Sequence, residues 1–487
     1  MVSPPIKTIH AGLSRLGLCA LVASLALGAS CSNPGEIPDA IPDRVPPAIE
    51  RPNIVLLSLD TLRADFLGCY GQDLETTPAI DQIAAAGTRF TDTTSASPWT
   101  LPSHASLFSG LYPSRHGVTD KEFRLTAPSL PTLLQSAGYQ TMGVSNALLV
   151  GHPHFNLMTG FDLNRHIPEF GIRKRRNGTE RVTRGTLNAA GIVVDQAQDW
   201  LRGRDTTKPF FMFLHFYDAH TDLNPDPVWR EKFVGPYDGE LNGRTMQLLR
   251  SREPGRGLSQ DDAQWLREMY AAEIRTLDEH LKRLFAFLDD QNLTETTVVV
   301  VTSDHGEEFL DHGGVLHGVT HYQELLHIPL IMRGPGIPIG KRVKFPTHLI
   351  DVAPTLLRLS GVEHPAMDGV DLATSWLEPI KVPAQRFLFS EADHNNPEGN
   401  NIHRMVRLGQ HKLHYDTLTG RKQLYALDDD PREQNDLVHT QPQLVGQLWT
   451  ELERFMSGKS VGFEASGLDD EELEGLKALG YMGTDDD

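Results

Sequence analysis

The chain has three cysteines in 487 residues, Cys19, Cys31 and Cys69. So few exclude a disulfide-built scaffold, and stability has to come from a hydrophobic core. It also lacks a basic excess: the formal net charge is −19. Binding to nucleic acid needs Lys and Arg to displace counterions, so no nucleic-acid partner is expected. A local pocket for a small anion remains compatible with that charge. The sequence has no internal repeat. The apolar run Leu16–Ser30 is too short for a comfortable membrane span. It follows Lys7, His10 and Arg15 and ends in small residues before Cys31, the pattern of an export signal. Residues 1–30 are read as a signal peptide, Cys31 as a lipidation site and 31–50 as a Pro-rich tether. The expected location is the bacterial periplasm or the outer membrane, with attachment through a lipidated Cys31.

What is present is a series of apolar runs alternating with helical patterns. Asn53–Asp60, Thr141–Ser145, Pro209–His220, Thr296–Glu308 and Ile328–Gly336 read as strands. Thr77–Gly87, Leu101–Gly110, Ser129–Gly138 and Asp351–Gly361 read as helices with Gly stops. Ser259–Asp290 reads as a long amphipathic helix, with Leu266, Met269, Leu277, Leu281, Leu284 and Leu288 on one face and Ser259 with Asp262 as its cap. This alternation predicts an α/β fold, a mostly parallel sheet covered by helices on both faces, over 51–380. Thr221–Gly257 is polar and reads as an insertion. Past about residue 385 the texture changes to short antiparallel strands, which predicts a smaller α+β subdomain over 381–487. A last helix is expected over Asp470–Gly483.

In open α/β sheets, ligands bind beyond the carboxyl ends of the strands. Three strands end there in polar groups: Asp60 on the first, Asp218 and His220 on the second, Asp304 and His305 on the third. Hard oxygens with one imidazole suit a divalent cation, with Mg, Mn, Ca and Zn all left open. Asp60, Asp304 and His305 are the expected ligand set. Thr100 stands where a loop enters a helix, placed to be an N-cap, a metal-bound nucleophile, or both. An incoming phosphate or sulfate ester would meet donors drawn from His104, His220 and His317.

Together these pieces resemble the sulfatase family within the alkaline-phosphatase-like superfamily. The resemblance is carried by "RPNIVLLSLDTLRADFLGCYG" (Arg51–Gly71), "SPWTLPSHASLFSGLYPSRHGV" (Ser97–Val118), "LHFYDAHTD" (Leu214–Asp222), "VVTSDHGEEFLDHGGVLHG" (Val300–Gly318) and "LYALDDDPREQNDL" (Leu424–Leu437). It implies a large mixed, mostly parallel sheet sandwiched by helices, and a metal-dependent hydrolase of phosphate or sulfate esters. The usual family nucleophile is a formylglycine made from Cys or Ser in a Cys/Ser-x-Pro-x-Arg element. Here "TLPSH" (Thr100–His104) stands in that place, so formylglycine is not expected. Phosphoglycerol and phosphoethanolamine transferases of the superfamily use an unmodified threonine at this point.

The usual Asp-Asp and Asp-Asn metal pairs are replaced by Asp60-Thr61 and Asp304-His305. The resemblance places His220 and His317 in the substrate or leaving-group pocket. Asn146 stands where many sulfatases carry Lys-x-His, and Asp218 joins the substrate-binding candidates. Asp218, His220 and His317 leave a second metal open, although one ion is favoured. The expected substrate is a small-molecule, lipid or glycan ester. The alternatives are an envelope transferase passing on a phospho-alcohol group and a non-catalytic envelope binding protein. The peptide containing Thr100 is expected to have the mass of unmodified threonine; a mass spectrum showing an aldehyde there would refute this reading.

Overall fold

The computed structural model describes residues 45–168, 170–174, 180–184, 189–252, 255–377, 386–393, 403–458 and 463–465. The signal peptide, Cys31, most of the tether, the 380/381 boundary and the expected helix over Asp470–Gly483 lie outside them.

Runs of Val, Ile, Leu and Phe that are apolar on both faces can be satisfied only in the middle of a sheet. The structure puts them there. The strands are β1 (Asn53–Leu59), β2 (Thr88–Thr94), β3 (Gln140–Ser145), β4 (Leu163–His166), β5 (Phe210–Phe216), β6 (Thr297–Thr302), β7 (His327–Arg333), β8 (Lys341–Val343) and β9 (Thr347–His348). They form one nine-stranded sheet in the order β8-β2-β7-β6-β1-β5-β3-β4, with β9 also on β2. β1 lies parallel between β5 and β6, and β3 is parallel to β4 and β5. β7 runs antiparallel to β2 and β6, which makes the sheet mixed.

Helices cover both faces. The main ones are α1 (Pro78–Ala85), α2 (Thr100–Ser109), α3 (Leu130–Ser136), α4 (Ala190–Gly203), α5 (Gln260–Asp290) and α6 (Val352–Leu359). One core joins Val55, Leu57 and Leu59 to α4 and α5; the other joins Ile54, Leu56, Phe211 and Phe213 to α2 and α6. All six apolar residues expected on the long helix are buried. Ser259 and Asp262 cap it reciprocally, at 3.1 and 2.8 Å.

The strand β2 was not anticipated from its "TRFTDTT" sequence. The helix at Thr100 also begins one residue earlier than expected. Thr100 is its first helical residue and Trp99 its N-cap, with no side-chain capping bond. The Thr100 hydroxyl is therefore not a cap. The insertion forms two short helices, Pro227–Phe233 and Thr245–Ser251. A cleft of about 870 Å³ lies there, lined by Asn224, Arg230, Tyr237, Trp265 and His280 among others.

The C-terminal part is a four-stranded antiparallel sheet, β10 (Phe387–Ala392), β11 (His403–Leu408), β12 (His411–Asp416) and β13 (Lys422–Ala426), followed by α7 (Pro442–Met456). Its core of Val406, Leu413, Leu424, Leu448 and Leu452 continues into Ala96, Tyr112 and Ile350 of the larger part. A buried ion pair adds to this junction. Lys412 Nζ lies 3.1 Å from Glu433 Oε1, and Glu433 Oε2 accepts the Gln323 N–H at 2.7 Å.

Burial alone would raise the Glu433 carboxyl, but Lys412 and His414 outweigh it and hold it at about 2. A depressed folded pKa gives stability above the ordinary carboxyl value of 4.5 that is lost as pH falls toward about 2. Glu433→Gln is expected to flatten that limb of an acid-unfolding curve. Lys412→Met strands a buried carboxylate and is expected to cost about 3–5 kcal/mol in denaturant unfolding.

Candidate metal centre

β1 and β6 are neighbours and parallel, so the residues just past them emerge at the same sheet edge. Asp60 follows β1, its N–H bonded to Phe216 O at 2.9 Å. The chain then turns through Thr61 at φ 57°, a strained conformation for a β-branched residue. That turn aims the Thr61 N–H at Asp304 Oδ1, 3.1 Å away, and the Leu62 N–H at Ser303 Oγ, 2.9 Å away. Tyr270 of α5 clamps the turn: its hydroxyl donates to Thr61 O at 2.6 Å and accepts the Arg63 N–H at 3.0 Å. Arg63 then reaches the other loop, donating to Glu307 O and to Asp311, each at 3.0 Å.

Asp304, His305 and Asp60 are fully buried, and one donor atom from each lies within 4.8 Å of the others. Asp304 Oδ1 accepts the N–H groups of Thr61 and His305, while Asp304 Oδ2 makes no hydrogen bond among the described residues. Burial pushes this carboxyl up, but the neighbouring imidazoles of His305, His104 and His215, with the Thr61 N–H, outweigh it and hold it below the ordinary carboxylate range. The ring of His305 donates Nδ1–H to Gly306 O at 2.9 Å, which leaves the Nε2 lone pair for the cluster. Nε2 stands 3.3 Å from Asp304 Oδ2 and 4.0 Å from Asp60 Oδ1. Two buried carboxylates and a correctly oriented imidazole match a divalent cation in charge and donor type. The residues fit the ion that was expected.

Thr100, also fully buried, brings Oγ1 to 3.3 Å from His305 Nε2. His317 and His220 complete the group. The His317 ring is 4.5 Å from that of His305 and 4.9 Å from that of His220. His317 Nδ1 pairs with Glu307 Oε1 at 2.9 Å. His220 stacks on Tyr217 and bonds Thr221 O. Burial keeps both imidazoles neutral, His220 at about 3 and His317 well below its ordinary value. His104 has both nitrogens engaged, with Ser58 Oγ at 2.9 Å and Thr100 O at 2.8 Å, so it anchors the helix carrying Thr100.

The remaining two candidates are hydrogen-bonded elsewhere. Asn146 donates to Ile167 O, and Asp218 Oδ1 accepts the Ala190 N–H at the head of α4. Burial raises the Asp218 carboxyl to about 6. Two residues of the site were not anticipated. Glu307 was passed over beside the more obvious Asp304 and His305. His215 was hidden inside the run "FFMFLHF", where its signal was a single polar residue in an otherwise apolar strand. Its Nε2 lies 3.2 Å from Asp60 Oδ2.

The sequence model of the sulfatase family, described as Sulfatase, matches residues 52–362. The chain belongs to the sulfatase family. A second model, for the C-terminal part of N-sulphoglucosamine sulphohydrolase, matches residues 310–458. An N-acetylglucosamine-6-O-sulfatase of Bacteroides thetaiotaomicron is 26% identical over 505 residues, spanning 85% of this chain and 86% of the relative. An arylsulfatase of Clostridium perfringens is 23% identical over 472 residues, spanning 85% and 96%. Among solved structures, the phosphonate monoester hydrolase of Agrobacterium radiobacter superposes with a TM-score of 0.67 at 21% identity, covering 84% of this chain and 95% of that one. That likeness shows the fold alone. This sulfatase-family chain is a metal-associated hydrolase for esters of the sulfate or phosphate type.

Asp304→Asn is expected to weaken divalent-ion binding by more than the ~10–100-fold typical of outer-shell changes, read by metal analysis after dialysis. Without metal the same variant is expected to melt higher than the parent, because one of two facing buried charges is gone.

Proposed function

We propose that this sulfatase cleaves its ester with the unmodified hydroxyl of Thr100, through a covalent Thr ester that water resolves. The observation that carries the reading is the 3.3 Å approach of Thr100 Oγ1 to His305 Nε2, inside the cluster that Asp60 and Asp304 complete. A divalent ion held by Asp60, Asp304, His305 and Thr100 Oγ1 would lower the hydroxyl pKa and offset charge on the ester oxygens.

The Thr100 oxygen attacks the central sulfur or phosphorus, and the bond to the leaving alcohol oxygen breaks. His317 gives that oxygen its Nε2 proton while the Glu307 carboxyl, raised by burial to about 7, passes its own proton to Nδ1, so the imidazole stays neutral. In the second half, His317 Nε2 takes a proton from water as the water oxygen displaces Thr100, and Nδ1 returns its proton to Glu307, which regenerates the Thr100 alkoxide and releases the inorganic anion. His220 lies beside His317 and helps define the leaving-group side.

The alcohol part is read as a sugar or another small molecule. This rests on relatives described as N-acetylglucosamine-6-O-sulfatase and N-acetylgalactosamine-6-sulfatase. The export run and Cys31 support an enzyme working outside the cytoplasm on a lipid anchor. No helix among the described residues is long and apolar enough to cross a membrane.

Thr100→Ala is expected to lower kcat by about 10³-fold or more on a nitrophenyl sulfate or phosphate ester while metal content stays within a few-fold. Thr100→Ser is expected to keep measurable turnover, and quenched reactions should hold sulfated or phosphorylated Thr100 peptide. Full activity in Thr100→Ala would overturn the nucleophile assignment.

A further inference from the structure

The face of the sheet beneath α2 is built from cross-strand rows. Ile54 pairs with Phe211 and Val298, and Leu56 pairs with Phe213 and Val300. The next row is Ser58, His215 and Thr302, and it is polar in all three strands. Two of its members have clear structural partners: Ser58 Oγ meets His104 Nε2 at 2.9 Å, and Thr302 Oγ1 donates to Pro329 O at 2.8 Å. His215 does not. It is fully buried, and neither ring nitrogen makes a hydrogen bond of good geometry among the described residues. Its closest ionisable neighbour is Asp60, with Nε2 3.2 Å from Oδ2. The ring also packs edge-on to His104 at 5.0 Å. A buried imidazole whose nitrogens make no well-aligned hydrogen bond destabilises a fold that Phe or Leu would serve better at this position.

We infer that His215 is a positioning residue for the metal centre: its Nε2 lies 3.2 Å from the outer oxygen of Asp60, and the hydrogen bond it would align there in the ion-bound state turns the inner oxygen toward the ion. His215 does not join the group of converging donor atoms formed by Asp60, Asp304 and His305, so it acts through Asp60. His305 is oriented in a comparable way, its Nδ1–H fixed by Gly306 O. The two Asp60 oxygens would then have different tasks, one fixed by His215 and one facing His305 Nε2 at 4.0 Å. Outer partners of this kind set metal affinity by orienting the ligand. The inference rests on the metal reading of the cluster and not on Thr100 as nucleophile.

The test is calorimetric titration of chelator-stripped full-length protein with Mn²⁺ and with Zn²⁺, comparing the parent, His215→Phe and His215→Gln, together with melting temperatures with and without metal. His215→Phe fits the Phe211 and Phe213 face but has no N–H. It is expected to fold, to melt at or above the parent without metal, and to bind both ions about 10–100-fold more weakly. His215→Gln, which can place an amide N–H near the Nε2 position, is expected to recover most of that affinity. A purely structural His215 would give the opposite pattern, a lower metal-free melting temperature with unchanged affinity. Parent-like metal binding by His215→Phe overturns the inference. Absence of binding by the parent overturns the metal reading beneath it, and activity of Thr100 variants is not involved in either outcome.

Discussion

Two carboxylates, Asp60 and Asp304, face each other in a fully buried site. At the separation of their donor atoms, up to 4.8 Å, two like charges repel by about 3–4 kcal/mol even at an effective dielectric near 20. Either a proton or a cation must relieve that repulsion. The Thr61 and His305 N–H groups on Asp304 favour its ionised form, and so favour the cation. Much of the surrounding architecture keeps this unfavourable pair in place.

The central parallel strands set the first part of that geometry, because adjacent parallel strands deliver their ends to one edge. The second part is a set of ties between the two loops. Tyr270 fixes the strained turn at Thr61, and Arg63 spans from that turn to Glu307 and Asp311 on the other loop. Burial would depress the Arg63 guanidinium, but Asp65 and Asp311 outweigh it and keep it charged. The long helix therefore does more than cover the sheet: its Tyr270 places a hydroxyl at the one backbone turn that aligns Asp60 with Asp304.

The strand ends could be read from the sequence because an apolar run that stops in Asp or Asp-His changes character within one residue. That was enough to bring together Asp60, Asp304, His305 and Thr100. Side chains whose orientation is set by tertiary contacts were less legible. Asp218 and Asn146 sit at strand ends like the ligands do, yet Asp218 bonds a helix head and Asn146 the backbone just past a neighbouring strand. His215 was invisible for the opposite reason, since pattern reading treats one polar residue in a buried strand as an exception. The Thr-rich β2 lacks the apolar alternation that marks a strand, and only its pairing with β7, β8 and β9 defines it. The helix α7 was missed because its apolar stripe has a meaning only against the C-terminal sheet.

The motif resemblance in the sequence implies that Thr100 stands where the usual sulfatase element has Cys or Ser, Thr61 where it has the second aspartate, and His305 where it has an asparagine. On the proposed reading these three departures belong together. A threonine hydroxyl reacts only after losing a proton that water does not readily remove. Replacing a carboxylate by Thr61 removes one hard anionic oxygen from the surroundings of the ion, and His305 adds a neutral nitrogen. Less charge is then donated to the cation, which leaves it a stronger acid toward the Thr100 oxygen. Nitrogen for oxygen also shifts preference from Ca toward Mn and Zn. A site that kept the carboxylate-rich set would quench the acidity that an unmodified threonine needs.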